Sequence, residues 1–89
     1  MSRIQIRYCT QCQWLLRSGW YAQELLSTFG EGLSEVSLAP CHGGTFEIWC
    51  DEVLLWERKR DGGFPDIKLL KQRVRDLLEP DRDLGHIDR

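Results

Sequence analysis

The chain has no run of about 18 consecutive apolar residues, so no membrane-spanning helix is expected. Its opening, Met1-Ser2-Arg3-Ile4-Gln5, is not a basic segment followed by an apolar one, which argues against a secretory signal and makes the cytoplasm the expected compartment. An excess of positive charge is missing too. Twelve Lys and Arg stand against 14 Asp and Glu, and a net charge of -2 argues against general affinity for nucleic acid. No G-x-G-x-x-G or P-loop pattern occurs, so no nucleotide or flavin cofactor is implied. Internal repeats and low-complexity tracts are absent, and 89 residues leave room for one small domain that buries roughly 60% of its unfolded-chain surface.

What the chain does have is aromatic bulk and four cysteines. Four Trp, three Phe and two Tyr supply enough buried area that no disulfide framework is needed for folding. In a reducing compartment, closely spaced cysteines are catalytic or metal-binding more often than structural. The close pair is Cys9-Thr10-Gln11-Cys12. Ile4, Ile6 and Tyr8 alternate with Arg3, Gln5 and Arg7, the period of a strand, whereas Trp14 to Phe29 places apolar residues at helical spacing. The thiols therefore fall at a strand-to-helix turn, where free backbone N–H groups and the partial positive charge of a helix N-terminus favour thiolate. Three uses fit such a pair: a redox dithiol, two inert buried thiols, or half of a zinc site completed by Cys41, His42 and Cys50. The eight residues between Cys41 and Cys50 do not match a zinc ribbon, and Cys50 shares a strand face with Phe46 and Ile48. Redox exchange is favoured, no metal is assigned, and Cys50 is expected in the core.

Further along, the first helix is expected from about Cys12 to Phe29, stopped by Gly30 and Gly32. Leu15, Ala22, Leu25, Leu26 and Phe29 mark its apolar face. Trp20 points the other way and is a candidate partner surface. Glu35 to Ala39 reads as a short strand ended by Pro40. Thr45 to Cys50 and Val53 to Glu57 read as a hairpin turning at Asp51-Glu52. Arg58 to Gly63 is a charged loop. Pro65 and Asp66 open a second helix with Ile67, Leu70, Val74, Leu77 and Leu78 on its stripe, ended by Pro80. The expected organisation is one domain over residues 1–80 and a polar tail over 81–89. The order β-α-β-β-β-α predicts an α/β (α+β) fold with a four-stranded mixed sheet and two helices. With C-x-x-C after the first strand, this is a thioredoxin-like layout.

Tyr8-Cys9-x-x-Cys12, Gly44-Thr45-Phe46-Glu47-Ile48 and Arg58-Lys59-Arg60-Asp61-Gly62-Gly63-Phe64-Pro65, followed by the Leu- and Lys-rich last helix, resemble the selenoprotein W-like (Rdx; SelT/SelW/SelH) family over roughly Ile4 to Leu78. The resemblance implies a thioredoxin-like fold and a thiol-disulfide redox role for Cys9 and Cys12, with glutathione or protein thiols as partners and no bound cofactor. In selenium-containing members the second position is selenocysteine, and Cys12 stands there. A thiol, with an ordinary pKa of about 8.5, is less ionised at neutral pH than a selenol, so Cys12 depends on the helix N-terminus and nearby Arg side chains. The family pattern nominates Cys12 as the attacking group. General thioredoxin-like logic nominates Cys9, with Cys12 resolving the mixed disulfide.

Around the pair, Cys41 and His42 precede the hairpin in a loop that lies beside the motif in thioredoxin-like folds. There His42 tunes a thiolate and Cys41 serves as a third thiol, or the segment is a solvated loop turned by Gly43 and Gly44. Pro40 is a candidate for the site-lining proline, in cis or trans. Trp14 either shields the disulfide or packs in the core. Phe64 and Pro65 form an apolar lip or pack the loop onto the last helix. Arg58, Lys59 and Arg60 either receive an anionic group such as a glutathione carboxylate or are simply solvated. The alternative function is a protein-interaction module without turnover, gated by the oxidation of Cys9 and Cys12 and binding through Trp20 or Phe64. Neither nucleic acid nor membrane is an expected partner.

Overall fold

The alternation of Ile4, Ile6 and Tyr8 with polar residues builds the first strand, β1 (Ser2–Cys9), whose apolar side chains are buried on one face. The computed structural model describes residues 1–85. After β1 come α1 (Leu15–Phe29), β2 (Leu33–Cys41), β3 (Phe46–Cys50), β4 (Val53–Glu57), a one-turn helix α2 (Arg58–Asp61) and α3 (Ile67–Leu78). The sheet runs β2-β1-β3-β4, with β2 parallel to β1, and β3 and β4 antiparallel to their neighbours. These are the order and directions of the expected thioredoxin-like sheet. Central β1 aligns both halves, with Ile4 opposite Cys50 and Ile6 opposite Ile48. Leu25 and Phe29 of α1, together with Leu70 and Val74 of α3, complete the core over this face.

Several local expectations give way to tertiary structure. The first helix begins at Leu15, not near Cys12, because residues 10–13 form a turn and Gln13 takes a left-handed φ of 60° that no helix continues through. Its buried stripe is Ser18, Tyr21, Ala22, Leu25 and Phe29, while Leu15 and Leu26 are exposed. Tyr21 claims the inner position because its ring packs near Phe46 while its hydroxyl reaches the Pro65 carbonyl at 2.6 Å. Pro40 does not end a strand. It lies inside β2, an edge strand, where a missing N–H is tolerated, and no cis peptide bond occurs among the described residues.

The charged loop contains α2, making three helices among the described residues instead of two. Glu57 caps this turn through the N–H groups of Lys59 and Arg60, and Gly62 closes it at φ 80°. Asp66 caps α3 as expected, accepting from the N–H groups of Lys68 and Leu69. Leu77 is exposed on α3, whereas Lys71 is buried against α1 by an ion pair with Glu24 at 2.9 Å. Of the predicted polar tail, residues 81–85 fold back, with the Arg82 guanidinium over the Phe29 ring and Leu84 against the core. Residues 86–89 of that tail lie outside the described residues. No helix among the described residues is long and apolar enough to cross a membrane.

Candidate functional site

The two motif cysteines meet where β1 ends. Cys9 is its last residue and is 2% exposed; Cys12 sits in the following turn, half-buried. The turn is pinned by β2, since the Thr10 N–H donates to the Cys41 carbonyl at 3.1 Å. It closes on itself through Gln13 N–H to the Thr10 carbonyl at 3.3 Å. This folding brings the sulfurs to 2.6 Å, with the Cys12 thiol donating to Cys9.

Electrostatics distinguishes the two sulfurs. The hydrogen bond from Cys12 draws the Cys9 thiol below the ordinary range against the opposing effect of burial, helped by the backbone N–H groups of Gly44, Cys12 and Gln11. Cys12 is pushed up, first by that same hydrogen bond, then by burial and by the charge on Cys9. In physical terms the pair gives up one proton readily and retains the second, because the remaining S–H stabilises the thiolate beside it. Accessibility runs the other way, since Cys12 is the sulfur that an outside group reaches.

The Gly44 N–H favours the charged form of both thiols. It is presented by a turn in which Gly43 and Gly44 adopt successive left-handed conformations, φ 68° and 74°. Thr45 closes this turn, donating through its N–H and its hydroxyl to the His42 carbonyl at 3.3 and 2.7 Å. His42 thus contributes backbone to the turn and its side chain is exposed. Cys41 lies beside Cys9 in the parallel register, and Pro40 lies beside Tyr8. Trp14 flanks the motif from the core side, edge-on to Phe64 at 5.0 Å and to Phe46 at 6.4 Å. Phe64 therefore stands beside Trp14, with the Arg17 guanidinium 4.2 Å from its ring centre. Pro65 is buried, and its carbonyl braces the loop against Tyr21.

Cys50 belongs elsewhere. It opposes Ile4 at the far end of β3, whereas Phe46 opposes Tyr8 beside the motif, so the strand separates Cys50 from the pair. The zinc set of Cys9 and Cys12 with Cys41, His42 and Cys50 is not assembled, and no group of three or more potential metal ligands is found among the described residues. Trp20 is 48% exposed, with its ring tilted against Tyr21 at 5.3 Å. Arg60 is occupied by Asp61 and the carbonyls of Leu54 and Leu55. The sequence placed neither Gly44 nor Arg58 beside the cysteines, although it offered Arg58, with Lys59 and Arg60, as a candidate for receiving an anion. The glycine doublet signalled a turn but not where its N–H would aim; Arg58 was hidden in a run of like charges.

The sequence model of the Rdx family matches residues 3–76. The chain belongs to the Rdx family. Two crystal structures of similar proteins share the fold of this Rdx-family chain. A protein from Bordetella parapertussis is 64% identical, with 86% of this chain and 98% of that one covered at a TM-score of 0.85. A selenoprotein W-related protein from Vibrio cholerae is 58% identical, with 88% and 98% covered and a TM-score of 0.85. No curated protein matches the chain. The family and the thioredoxin-like fold implied by the sequence resemblance both hold.

Proposed function

We propose that this Rdx-family protein is a thiol-disulfide redox protein in which Cys9 and Cys12 cycle between dithiol and disulfide. The observation that carries this reading is the 2.6 Å approach of the two sulfurs at a partly exposed turn. A disulfide needs sulfurs about 2.05 Å apart, so closure requires little backbone movement. Cys12 is the attacking sulfur because Cys9 is buried. As it attacks, its proton passes along the hydrogen bond to Cys9. Cys12 thiolate then displaces one half of a disulfide R–S–S–R, forming Cys12–S–S–R and releasing a thiolate. Cys9 gives its proton to that thiolate and attacks the Cys12 sulfur, which expels the second. Two electrons and one proton leave the protein and the second thiolate takes its proton from solvent, giving the Cys9–Cys12 disulfide and two R–SH. Glutathione or a protein dithiol returns them by the reverse exchange. A reducing cytoplasm suits this cycle, because there the disulfide is transient.

The test is the redox midpoint of the pair, from purified protein equilibrated in graded glutathione buffers with free thiols trapped. A reversible two-electron transition within roughly -120 to -270 mV, the span of thioredoxin-like catalysts and their relatives, supports the proposal. No disulfide at any potential overturns it. The half-exposed Trp20 favours a second reading, a redox-gated interaction module. That reading requires a reversible transition without turnover, together with partner binding that is lost in Trp20→Ala.

A further inference from the structure

The charged turn α2 treats its three basic residues differently. Asp61 pairs with Arg60 at 2.9 Å and with Arg73 of α3 at 3.4 Å. Arg58 has no carboxylate partner among the described residues, and its Nε is buried without a hydrogen-bond partner. A desolvated guanidinium edge without a counter-ion is unfavourable unless an anion arrives nearby. Yet the side chain is held in place. Its guanidinium carbon lies 5.1 Å from the Trp14 ring centre, a cation–π contact that holds the charge over the indole. Its Nη2 lies 3.5 Å from the point where a Gly44 side chain would begin. Its backbone is fixed by the Gly63 N–H, which donates to the Arg58 carbonyl at 2.7 Å. Both side-chain contacts lie at the end of β1 that carries the pair, since Trp14 stands two residues after Cys12 and Gly44 lies in the turn between Cys41 and Phe46, which pair with Cys9 and Tyr8. The pair gains a negative charge on reduction and loses it on oxidation.

We infer that Arg58 is a positioning residue that reaches from α2 to act as the counter-ion of the reduced Cys9–Cys12 pair. The inference rests on the redox reading of that pair. Cys12, held up chiefly by its hydrogen bond to Cys9 and by burial, is drawn down by the Gly44 N–H and by the Arg58 charge. The consequence is thermodynamic. Arg58 stabilises the anionic dithiol and leaves the neutral disulfide unaffected, so it makes the protein easier to reduce and increases the thiolate fraction at neutral pH.

The experiment compares wild type with Arg58→Gln, Arg58→Met and Arg58→Lys. The readouts are the redox midpoint in glutathione buffers and the pH dependence of iodoacetamide alkylation, with circular dichroism to verify folding. Gln keeps a flat polar group without the charge, so it carries the test if the Met variant does not fold. Removing the charge is expected to shift the dithiol-disulfide equilibrium about tenfold toward disulfide, about 30 mV more negative, and to move the alkylation profile to higher pH. Lys, which keeps the charge, should stay closer to wild type than Gln. A folded Gln or Met variant with the wild-type midpoint and profile overturns the inference, as does a Lys variant displaced as far as Gln. If wild type itself forms no disulfide, the redox reading fails and the inference fails with it. A normal wild-type transition with unmoved variants refutes the role of Arg58 alone.

Discussion

Replacing Tyr21 by Phe removes one oxygen from the brace between α1 and the Phe64-Pro65 loop. The Tyr21 hydroxyl, on a residue 2% exposed, donates to the Pro65 carbonyl at 2.6 Å. Phe retains the ring contacts with Phe46 and Trp20, so the loss is confined to this bond. Pro65 is buried and has no N–H, so its carbonyl is its one backbone polar group, and nothing replaces the lost donor. A net hydrogen bond together with a stranded acceptor amounts to about 1.5 kcal/mol. In a domain of this size that lowers the melting temperature by roughly 6–12 °C. Urea unfolding followed by circular dichroism should show a lower midpoint with an unchanged slope. Alkali supplies a second check. Burial pushes the Tyr21 phenol above its ordinary value of 10.0, with Arg17 opposing. The folded state therefore holds this proton more tightly than the unfolded chain. That stability is complete below pH 10.0 and is lost as pH rises through the folded value, a loss the Phe variant lacks. A variant within about 0.3 kcal/mol of wild type, with the same alkaline decline, would refute the assignment of this brace.

Asp61→Asn should cost about 1–2 kcal/mol at pH 7, because the carboxylate accepts the Glu57 N–H at 2.9 Å as well as pairing with Arg60 and Arg73. Burial pushes this carboxyl up, but the Glu57 N–H and the two guanidinium groups more than offset it and leave it lowered. Its contribution is present above the ordinary value of 3.8 and disappears as pH falls through the folded value. Urea midpoints of wild type and variant should converge in acid; a gap independent of pH contradicts the reasoning. Cys50, whose thiol is pushed up by burial and then by Asp51, should resist iodoacetamide in the native protein while Cys12 reacts. Mass spectrometry of alkylated peptides before and after urea unfolding checks this, and early labelling of Cys50 would count against the packing described. Arg60→Ala should bare the Leu54 carbonyl on the β4 edge, while Leu55 keeps its bond from Arg73, and increase self-association, measured by light scattering. Scattering equal to wild type at matched concentration would remove Arg60 as the guard of that edge.

The parts of the fold legible in the sequence are those whose periodicity and burial agree. Ile4, Ile6 and Tyr8 alternate inward, as do Phe46, Ile48 and Cys50, and Leu70 and Val74 keep a helical repeat with Asp66 as cap. Legibility failed where one residue satisfies a tertiary partner. Tyr21 took an inner position of α1 because its hydroxyl reaches Pro65, and Ser18, whose buried hydroxyl has no partner, lies inside with it, while Leu15 and Leu26 are exposed although hydrophobicity alone ranks leucine higher. Pro40 reads as a terminator until β2 is known to be an edge strand. The α2 turn is too short for periodicity to reveal, and its evidence is the Glu57 cap and Gly62.

The same division governs the candidate site. Cys9 and Cys12 are local in sequence, so their pairing was legible. The source of the field acting on them was not. The helix N-terminus and nearby Arg side chains, none of them named, were the expected sources, but the left-handed Gln13 delays α1 to Leu15. The donors are the Cys12 and Gln11 N–H groups of the turn and the Gly44 N–H, and the cation acting on Cys12 is Arg58 from the turn after β4. Gly44 and Arg58 arrive through the sheet, since pairing of β1 with β2 and β3 fixes the Gly43-Gly44 turn beside the end of β1. A helix terminus would act on this motif even in a fragment, through residues adjacent in sequence. Gly44 and Arg58 act only once the hairpin has docked, so the assembled sheet adds its own field to the one that the C-x-x-C motif supplies through the Cys12 thiol and the Cys12 and Gln11 N–H groups.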